Sequence, residues 1–195
     1  MKPYKLALVF AFLLSLPASA ADFVYAPQNC EFKVTYPEHP SIAEACNPED
    51  PKDCYEVSNF IQVLAADSSV RINSTCNNAE PGMLERYSGD VMQYTLGTMA
   101  KQQVDEYETG FNDHGIAKQA VVLGNKKQPD GSEGVYMAQL WIGKKSVFTI
   151  EGQITGTASA EADAIFSAIF KSIRHESWET KPEAVENKDK IDKDE

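Results

Sequence analysis

The first half of the chain alternates polar and apolar residues with the two-residue period of a β-strand. The clearest run covers 31–36, where every second side chain is apolar and prolines follow. Two longer runs, 55–65 and 70–76, are separated by the turn-forming residues Asp67-Ser68-Ser69. This spacing predicts one strand followed by an antiparallel hairpin, each with one buried face.

The period changes after Pro81-Gly82, where apolar residues recur at steps of three and four over 83–107. These residues are Leu84, Tyr87, Val91, Tyr94, Met99 and Val104, and many helix-favouring residues stand between them. The pattern predicts a helix with a break at Ser88-Gly89, where Ser88 caps the longer part, and with a stop at Gly110.

A second group of strands follows the helix. The runs 116–123, 134–142 and 146–155 are rich in residues that favour strands, and polar turn residues separate them. They predict a three-stranded antiparallel meander. A final helix is expected to begin near Ser159, because acidic residues follow that position and an apolar stripe ends at Ile173.

The predicted order of elements is β-β-β-α-β-β-β-α. Two helices are too few for a doubly wound parallel sheet, and the links between strands are too short for parallel crossovers. The expected fold class is therefore α+β: an antiparallel sheet of about six strands, covered by two amphipathic helices.

The two ends of the chain differ in composition from the middle. Residues 1–20 carry two lysines, then an apolar run, then Ala18-Ser19-Ala20, which is the pattern of a secretory signal peptide. The apolar run is about half the length needed to span a bilayer. From Glu176 onwards the chain is charged and repetitive. We therefore expect a signal peptide over 1–20, a single α+β domain over 21–175 and a disordered acidic tail over 176–195.

The charge of the chain limits its partners. It has 18 basic and 29 acidic residues, a net charge of −11 that becomes −13 once the two lysines of the signal peptide are removed. Because affinity for nucleic acid comes mainly from lysine and arginine on phosphates, we expect no nucleic-acid partner. A second long apolar run is absent from the sequence. We therefore expect no stable membrane insertion after signal cleavage, and a periplasmic or secreted location.

Four cysteines follow the signal peptide: Cys30, Cys46, Cys54 and Cys76. An even number in an oxidising compartment indicates two structural disulfides, and the lack of a C-x-x-C pair argues against zinc or thioredoxin-like chemistry. A two-residue turn at Asp67-Ser68 places Cys76 about five residues from Cys54 along the hairpin, too far for a bridge. We therefore predict Cys46–Cys54 and Cys30–Cys76. The pairing Cys30–Cys46 with Cys54–Cys76 stays open if the register shifts.

Few residue patterns indicate catalysis. The chain has three histidines and none of the common nucleotide-binding, metalloprotease or serine-hydrolase motifs. The best metal-binding cluster is His114 with Asp113 and Glu108, since imidazole and carboxylate ligands suit zinc or manganese. A polar loop between a helix and a strand is the simpler interpretation. The acidic loop around Glu49 and Asp50 has oxygen ligands for calcium but lacks EF-hand spacing, so we expect no cofactor.

The other histidines and the tryptophans have structural interpretations. His39 lies in a turn, and His175 lies at the end of a predicted helix, where a cation is favourable. Trp141 lies in a predicted strand and is expected in the core. Trp178 stands at the root of the acidic tail, where it either packs back on the domain or anchors a partner.

The order of elements and two short motifs resemble the PsbP-like family of secreted and lumenal proteins, including its DcrB-like members. The motifs are Phe32-Lys33-Val34-Thr35-Tyr36-Pro37 and the amphipathic segment 166–173. The resemblance covers 29–174, and the cysteine-bracketed loop and acidic tail depart from the family pattern. It implies an antiparallel sheet closed by a C-terminal helix, an accessory or envelope role, and no catalytic residues to carry over.

These observations favour a non-enzymatic envelope or periplasmic protein that binds another envelope protein or assists an assembly. One alternative is a metal-dependent hydrolase that uses His114 with Asp113 or Glu108. Another is a small-ligand-binding protein, with a pocket between the sheet and the 83–107 helix.

Overall fold

The computed structural model describes residues 22–46, 54–64, 67–101, 103–127 and 133–180. The predicted signal peptide, the acidic loop 47–53 and residues 181–195 of the predicted tail lie outside this part of the chain. In chain order the elements are β1 (Phe23–Tyr25), β2 (Phe32–Tyr36), β3 (Ser41–Cys46), β4 (Cys54–Val63), β5 (Ser69–Asn78), α1 (Met83–Arg86), α2 (Gly89–Ala100), β6 (Glu106–Asp113), β7 (Lys118–Lys127), β8 (Glu133–Ile142), β9 (Ser146–Thr155), α3 (Ala160–Lys171), β10 (Arg174–His175) and a 3-10 helix (Glu176–Thr180).

The strands form one large and one small antiparallel sheet. The large sheet has the order β3-β4-β5-β9-β8-β7-β6, and the small sheet has the order β1-β2-β10. Every pairing among the described strands is antiparallel, and where consecutive strands pair, their short connections allow no other arrangement. The predicted α+β class with an antiparallel sheet is confirmed.

The structure contains strands that the alternation of residues did not predict, namely β1, β3, β6 and the two-residue β10. Strands β3 and β6 form the two edges of the large sheet, and most of their side chains are exposed. A strand exposed on both faces lacks the period-two pattern of a half-buried one, which is why these edges escape sequence reasoning. Strand β1 has only three residues, too few to show a period.

Two hydrophobic cores lie on opposite faces of the large sheet. Strand β8 shows this arrangement, because Trp141 belongs to the first core and its neighbours Leu140 and Ile142 belong to the second. The first core lies between the sheet and the layer made by β2 and α3. The second lies between the sheet and α2, which packs over β6, β7 and β8.

Helix α2 presents a different face to the sheet from the one predicted. The predicted stripe residues Val91, Tyr94 and Met99 are 46%, 76% and 41% exposed. The residues buried in their place are Met92, Leu96, Gly97 and Ala100. Two glycines explain why this face is buried. A Cβ atom added to Gly89 would lie 2.8 Å from the ring of Phe111, and one added to Gly97 would lie 3.2 Å from the ring of Tyr107. The face with small residues therefore faces the sheet, because only there can the aromatic rings of β6 reach the helix backbone.

The boundaries of the helical region also differ from the prediction. The break falls where expected, and the Ser88 hydroxyl accepts a hydrogen bond from the Val91 N–H at 3.4 Å as an N-cap. The second helix ends at Ala100, however, and both Tyr107 and Gly110 lie in β6. Gly110 is thus part of an edge strand and not a helix stop.

The hairpin of β4 and β5 has a longer turn than predicted. The Leu64 N–H donates to the Ser68 carbonyl at 2.8 Å, and Val57 lies opposite Thr75. Continuing this register places Cys76 opposite Glu56, only two residues from Cys54. The predicted register was wrong. The distance between Cys54 and Cys76 along the hairpin therefore does not exclude a bridge between them.

The chain stays folded beyond the predicted end of the domain at 175. Strand β10 pairs with Lys33 and Phe32 of β2, and the 3-10 helix Glu176–Thr180 follows it. Trp178 packs against the first core. The domain therefore extends through Thr180, and the predicted start of the tail at Glu176 is too early.

Candidate functional site

The structure does not assemble the predicted metal cluster. Glu108 and Asp113 are five residues apart in β6, which at about 3.3 Å per residue separates their Cα atoms by roughly 16 Å. An odd separation also directs their side chains to opposite faces of the sheet. The Asp113 carboxylate accepts a hydrogen bond from the Gly115 N–H at 2.8 Å, which closes the turn around His114. Glu108, Asp113 and His114 therefore do not converge on one ion.

His114 belongs to an aromatic cluster. Its ring stacks on Trp141 with centroids 5.6 Å apart, and Trp178 packs edge-on against both rings at 5.2 and 5.8 Å. Trp141 is 4% exposed and donates its indole N–H to Gln139 at 2.9 Å. The cluster holds the 3-10 helix against β8, and it gives His114 a packing role.

A second group of metal-type ligands is occupied by a disulfide. Among the described residues, Glu44, Cys46 and Cys54 each bring one ligand atom within 4.8 Å of the others. The two sulfur atoms are bonded to each other, so neither is the thiolate that binds a metal. Of the three groups, only the Glu44 carboxylate has a free ligand atom.

The predicted pocket between the sheet and the helix is small. A cavity of about 190 Å³ lies between α2 and the sheet and is bounded by Met99 and Thr149. A second cavity, of about 160 Å³, lies between Gln103, which follows α2, and the sheet residue Gln153. Sites for small ligands usually measure about 300–1,000 Å³. This position therefore does not fit the predicted small-ligand pocket.

A wider cavity, of about 630 Å³, opens where β4 and β5 meet the loop between β1 and β2. We call it the disulfide cleft, because a cysteine of each disulfide lines it. Its volume lies in the range of ligand sites, and its lining is mostly polar. The lining residues are Pro27, Gln28, Asn29, Glu44, Cys54, Tyr55, Glu56, Cys76, Asn77 and Asn78.

The two disulfides fix the walls of the disulfide cleft. Cys30–Cys76 joins the β1–β2 loop to β5 with a Cα separation of 6.0 Å, and Cys46–Cys54 joins β3 to β4 with a Cα separation of 4.0 Å. This is the pairing favoured from the sequence. What sets it is that Cys46 lies directly opposite Cys54 in the β3–β4 pair. Asn29, beside Cys30, has a φ of 63°, a conformation that asparagine tolerates.

The charge of the disulfide cleft is negative. Glu44 on β3 lies directly opposite Glu56 on β4, so their Cβ atoms are about 5 Å apart on one face of the sheet. Both side chains are exposed, and the described residues that line the cleft include no lysine, arginine or histidine. Like charges directly opposite in a sheet are destabilising, so this pair favours the approach of a cation.

Tyr25 carries a buried phenol on which the charge of Glu56 acts. Tyr25 is 3% exposed, and its hydroxyl has no hydrogen-bond partner among the described residues. Burial and, secondly, the negative charge of Glu56 raise the pKa of Tyr25 well above its ordinary value of 10.0. The neighbouring phenol of Tyr36 is satisfied by Ser58 and Ser74 at 2.9 and 3.2 Å. The Tyr25 hydroxyl therefore remains a buried polar atom without a partner among the described residues.

We expect the protein to lose stability at alkaline pH. Burial raises the pKa values of Tyr25, Tyr36 and Tyr136 in the folded state, so the unfolded chain loses these protons first. Their contribution to stability is complete below about pH 10 and is lost as the pH rises further. Urea midpoints near pH 8 and near pH 11 test this. Tyr25→Phe should reduce the loss, the exposed control Tyr94→Phe should not, and equal midpoints at both pH values contradict the prediction.

The sequence contains a signal for the carboxylate pair that the element predictions did not use. The order is Glu44-Ala45-Cys46 before the acidic loop and Cys54-Tyr55-Glu56 after it. When the two cysteines are opposite each other in an antiparallel pair, residues two positions further along are opposite as well. The pair stayed hidden because β3 was not predicted as a strand.

A second polar cluster lies buried at the start of β2. The Glu31 carboxylate accepts hydrogen bonds from the Lys145 and Ser146 N–H groups at 2.7 and 3.0 Å and from the Ser146 hydroxyl at 3.3 Å. Its other oxygen is 3.6 Å from Nε2 of His175, and both side chains are 6% exposed. Glu31 thus joins the β8–β9 turn to the C-terminal segment.

Ser177 adds a hydroxyl to this cluster, so that His175 lies between a serine and a carboxylate, as the histidine of a catalytic triad does. Its Oγ is 2.9 Å from Nδ1 of His175, but its backbone N–H donates to the same nitrogen at 3.2 Å. The imidazole lone pair that a general base needs is therefore already engaged. We interpret the cluster as a structural tie, and sequence reasoning missed it because Glu31 and His175 are far apart in the chain.

Comparison with protein-family models and with curated proteins found no match. The resemblance to the PsbP-like family therefore stays a prediction. Within the described residues, no helix has both the length and the apolar composition that a membrane span requires. Two disulfides are compatible with an extracellular or periplasmic protein.

Proposed function

We propose that this protein is an exported, non-enzymatic binding protein that holds part of another envelope protein in the disulfide cleft. The observation that carries the proposal is the cleft itself, a polar cavity of about 630 Å³ whose walls are tied by both disulfides. The signal-peptide pattern over 1–20 supports export. Covalent ties on both sides of the cleft favour a preformed site, which lowers the entropy cost of binding.

The chemistry of the lining supports binding over catalysis. Its two cysteines are bonded, and among the described residues its lining has no serine, histidine or lysine to act as a nucleophile or base. Glu44 and Glu56 are both exposed, whereas a carboxylic acid that donates a proton in catalysis is held in an apolar environment. What remains is a set of amide and carboxylate groups suited to hydrogen bonding with a partner's surface.

Site-specific crosslinking tests this function. A photoreactive amino acid at Asn78, an exposed residue of the cleft, is expected to form a covalent adduct with a partner in cells that export the protein. The matched control carries the same group at Asn112, an exposed residue of β6 at the far edge of the large sheet. We expect one discrete adduct with another protein from Asn78 and none with another protein from Asn112. Identical adducts from both positions, or none from either, contradict the proposal.

A further inference from the structure

We infer that β6, an edge strand of the large sheet, pairs antiparallel with β6 of a second copy of this chain. In this dimer the two copies share one continuous sheet, and a two-fold axis passes between their Gly110 residues. The inference goes beyond the proposed function, because the disulfide cleft is lined by β3, β4 and β5 and β6 forms the other edge of the sheet. Four features carry it: the outward backbone groups of β6, Gly110, the charge pattern of the strand, and the exposed Tyr94.

The backbone of β6 offers hydrogen-bonding groups to a further strand. The His114 N–H donates to the Ala117 carbonyl at 2.9 Å where the β6–β7 hairpin closes. Residues of an antiparallel pair alternate between bonding to the opposite strand and pointing their N–H and C=O groups away from it. Counting back from His114, the residues that point away from β7 are Tyr107, Thr109, Phe111 and Asp113. No described strand pairs with them on that side, and such an edge is a template for another strand.

Gly110 lies in the middle of this edge, and no described neighbour explains why it is glycine. Its φ is not positive, and a Cβ atom added to it would meet no described atom within 4 Å. Glycine weakens the interior of a strand and often marks a place where another backbone approaches closely. Pairing through β6 supplies that backbone. Gly110 of one copy then lies opposite Gly110 of the other in a non-hydrogen-bonded pair, the closer kind, with Cα atoms about 4.5 Å apart.

The charge pattern of β6 fits this register. The strand carries three acidic residues, and like charges directly opposite each other destabilise a sheet. With Gly110 on the axis, no acid of the strand lies opposite another acid. The opposed pairs that include an acid are Glu106–His114, Glu108–Asn112 and Asp113–Tyr107. A slip by one residue places Glu106 opposite Asp113 and also turns the hydrogen-bonding groups away from each other. The register on Gly110 avoids both and forms about eight backbone hydrogen bonds between the copies.

Tyr94 adds an apolar contact above the same edge. Helix α2 packs over β6, where Nε2 of Gln93 donates to the Thr109 hydroxyl oxygen at 3.4 Å. Successive helical residues turn by about 100°, so Met92 faces the core, Gln93 faces β6 and Tyr94 faces past the edge of the sheet. Tyr94 is 76% exposed. A two-fold axis perpendicular to the sheet places both α2 helices on the same face, and the two Tyr94 rings lie in the gap between them.

The test measures the mass of the purified, oxidised protein in solution. Sedimentation equilibrium should show a mass that rises from one chain towards two between about 1 µM and 1 mM, as expected of a weak specific dimer. Gly110→Glu places two carboxylates on the axis and should weaken the dimer by at least about tenfold. The matched control is Ala43→Glu, because Ala43 is a small exposed residue of β3, the other edge strand. It should leave the dissociation constant unchanged.

Further variants separate loss of the interface from loss of folding. A mixture of Gly110→Lys and Gly110→Glu should recover the dimer, because opposite charges then meet on the axis. Tyr94→Ala should weaken the dimer by about fivefold. Met99→Ala, on the flank of α2 that lines the cavity towards β9, should leave it unchanged. Dispersed amide spectra confirm that each variant is folded.

The outcomes separate this inference from the proposed function. A single-chain mass over the whole concentration range overturns the inference, as does a dimer that Gly110→Glu leaves intact or that the charged mixture does not restore. A dimer weakened by Gly110→Glu and restored by the mixture supports pairing through β6. In the crosslinking experiment, Asn112 lies opposite Glu108 of the second copy and should join only two copies of the chain. Missing adducts of Asn78 with another protein reject the proposed function and leave the dimer in place.

Discussion

Replacement of Cys30 and Cys76 by serine is expected to lower the free energy of unfolding by about 4 kcal/mol. The bridge closes a segment of 46 residues, and its loss releases that segment in the unfolded state. Both cysteines also pack against the first core, so the variant loses apolar contacts as well. Urea denaturation of the double variant, followed by tryptophan fluorescence, measures the change.

The Cys46–Cys54 bridge is the matched comparison. It spans eight residues, and the same reasoning predicts a loss of about 2.5 kcal/mol when both cysteines are replaced by serine. The ranking is the sharper expectation, because both values come from one model of chain entropy. A larger loss for the short bridge contradicts this account. Non-reducing peptide mapping of the wild-type protein should first show both pairs, and a peptide that joins Cys54 to Cys76 contradicts the structure.

Removal of the buried carboxylate in Glu31→Ala is expected to cost about 3–5 kcal/mol. The Lys145 and Ser146 N–H groups that bond to this carboxylate lose their partner, and His175 loses the only acidic group within salt-bridge distance in the described residues. Buried donors without partners carry the full cost of desolvation. The thermal midpoint and the urea midpoint should both fall, and the C-terminal segment should become accessible to protease.

Glu176 provides a matched control for Glu31, since both glutamates contact Lys145. The Glu176 pair is 3.4 Å long with both side chains more than half exposed, so Glu176→Ala should cost no more than about 1 kcal/mol. Ser177→Ala should also leave the stability nearly unchanged, because Ser177 is exposed and its backbone N–H still binds His175. If Glu31→Ala costs no more than Glu176→Ala, the cluster is not the tie that we describe.

The strands in the interior of the large sheet could be predicted from the sequence, whereas its edge strands could not. The predicted strand 146–155 coincides with β9 (Ser146–Thr155), whose residues alternate between buried and half-buried along its whole length. Strand β3 instead shows almost uniform exposure. Polar and apolar residues alternate along a strand because its side chains alternate between solvent and core. A solvent-exposed edge strand lacks this alternation.

The N-terminal ends of the helices were predicted correctly, whereas the buried face of α2 was not. Ser88 and Ser159 cap α2 and α3 as predicted, because capping depends on a few neighbouring backbone groups. The orientation of α2 depends on partners in β6 that are distant in the sequence. Its glycine-containing face accepts the rings of Tyr107 and Phe111, and this close approach outweighs the burial of Tyr94.

The candidate site shows the same division. Glu108, Asp113 and His114 are close in the sequence. The extended backbone of β6 nevertheless separates Glu108 from Asp113, and His114 packs in the aromatic cluster. The carboxylates of the cleft are twelve positions apart, and only the pairing of β3 with β4 places Glu44 opposite Glu56. Closeness along an extended chain therefore did not indicate closeness in space.

The sequence by itself determined the α+β class, the antiparallel order of the interior strands, the helix caps and the presence of enough cysteines for two bridges. These properties follow from local periodicity, backbone capping and composition, which need no knowledge of distant partners. The tertiary structure alone decided the hairpin register, the buried face of α2, the tie between Glu31 and His175, and the disulfide cleft. Each of these depends on side chains that meet across strands or between layers, and such contacts are set by packing of the whole domain and not by the local pattern.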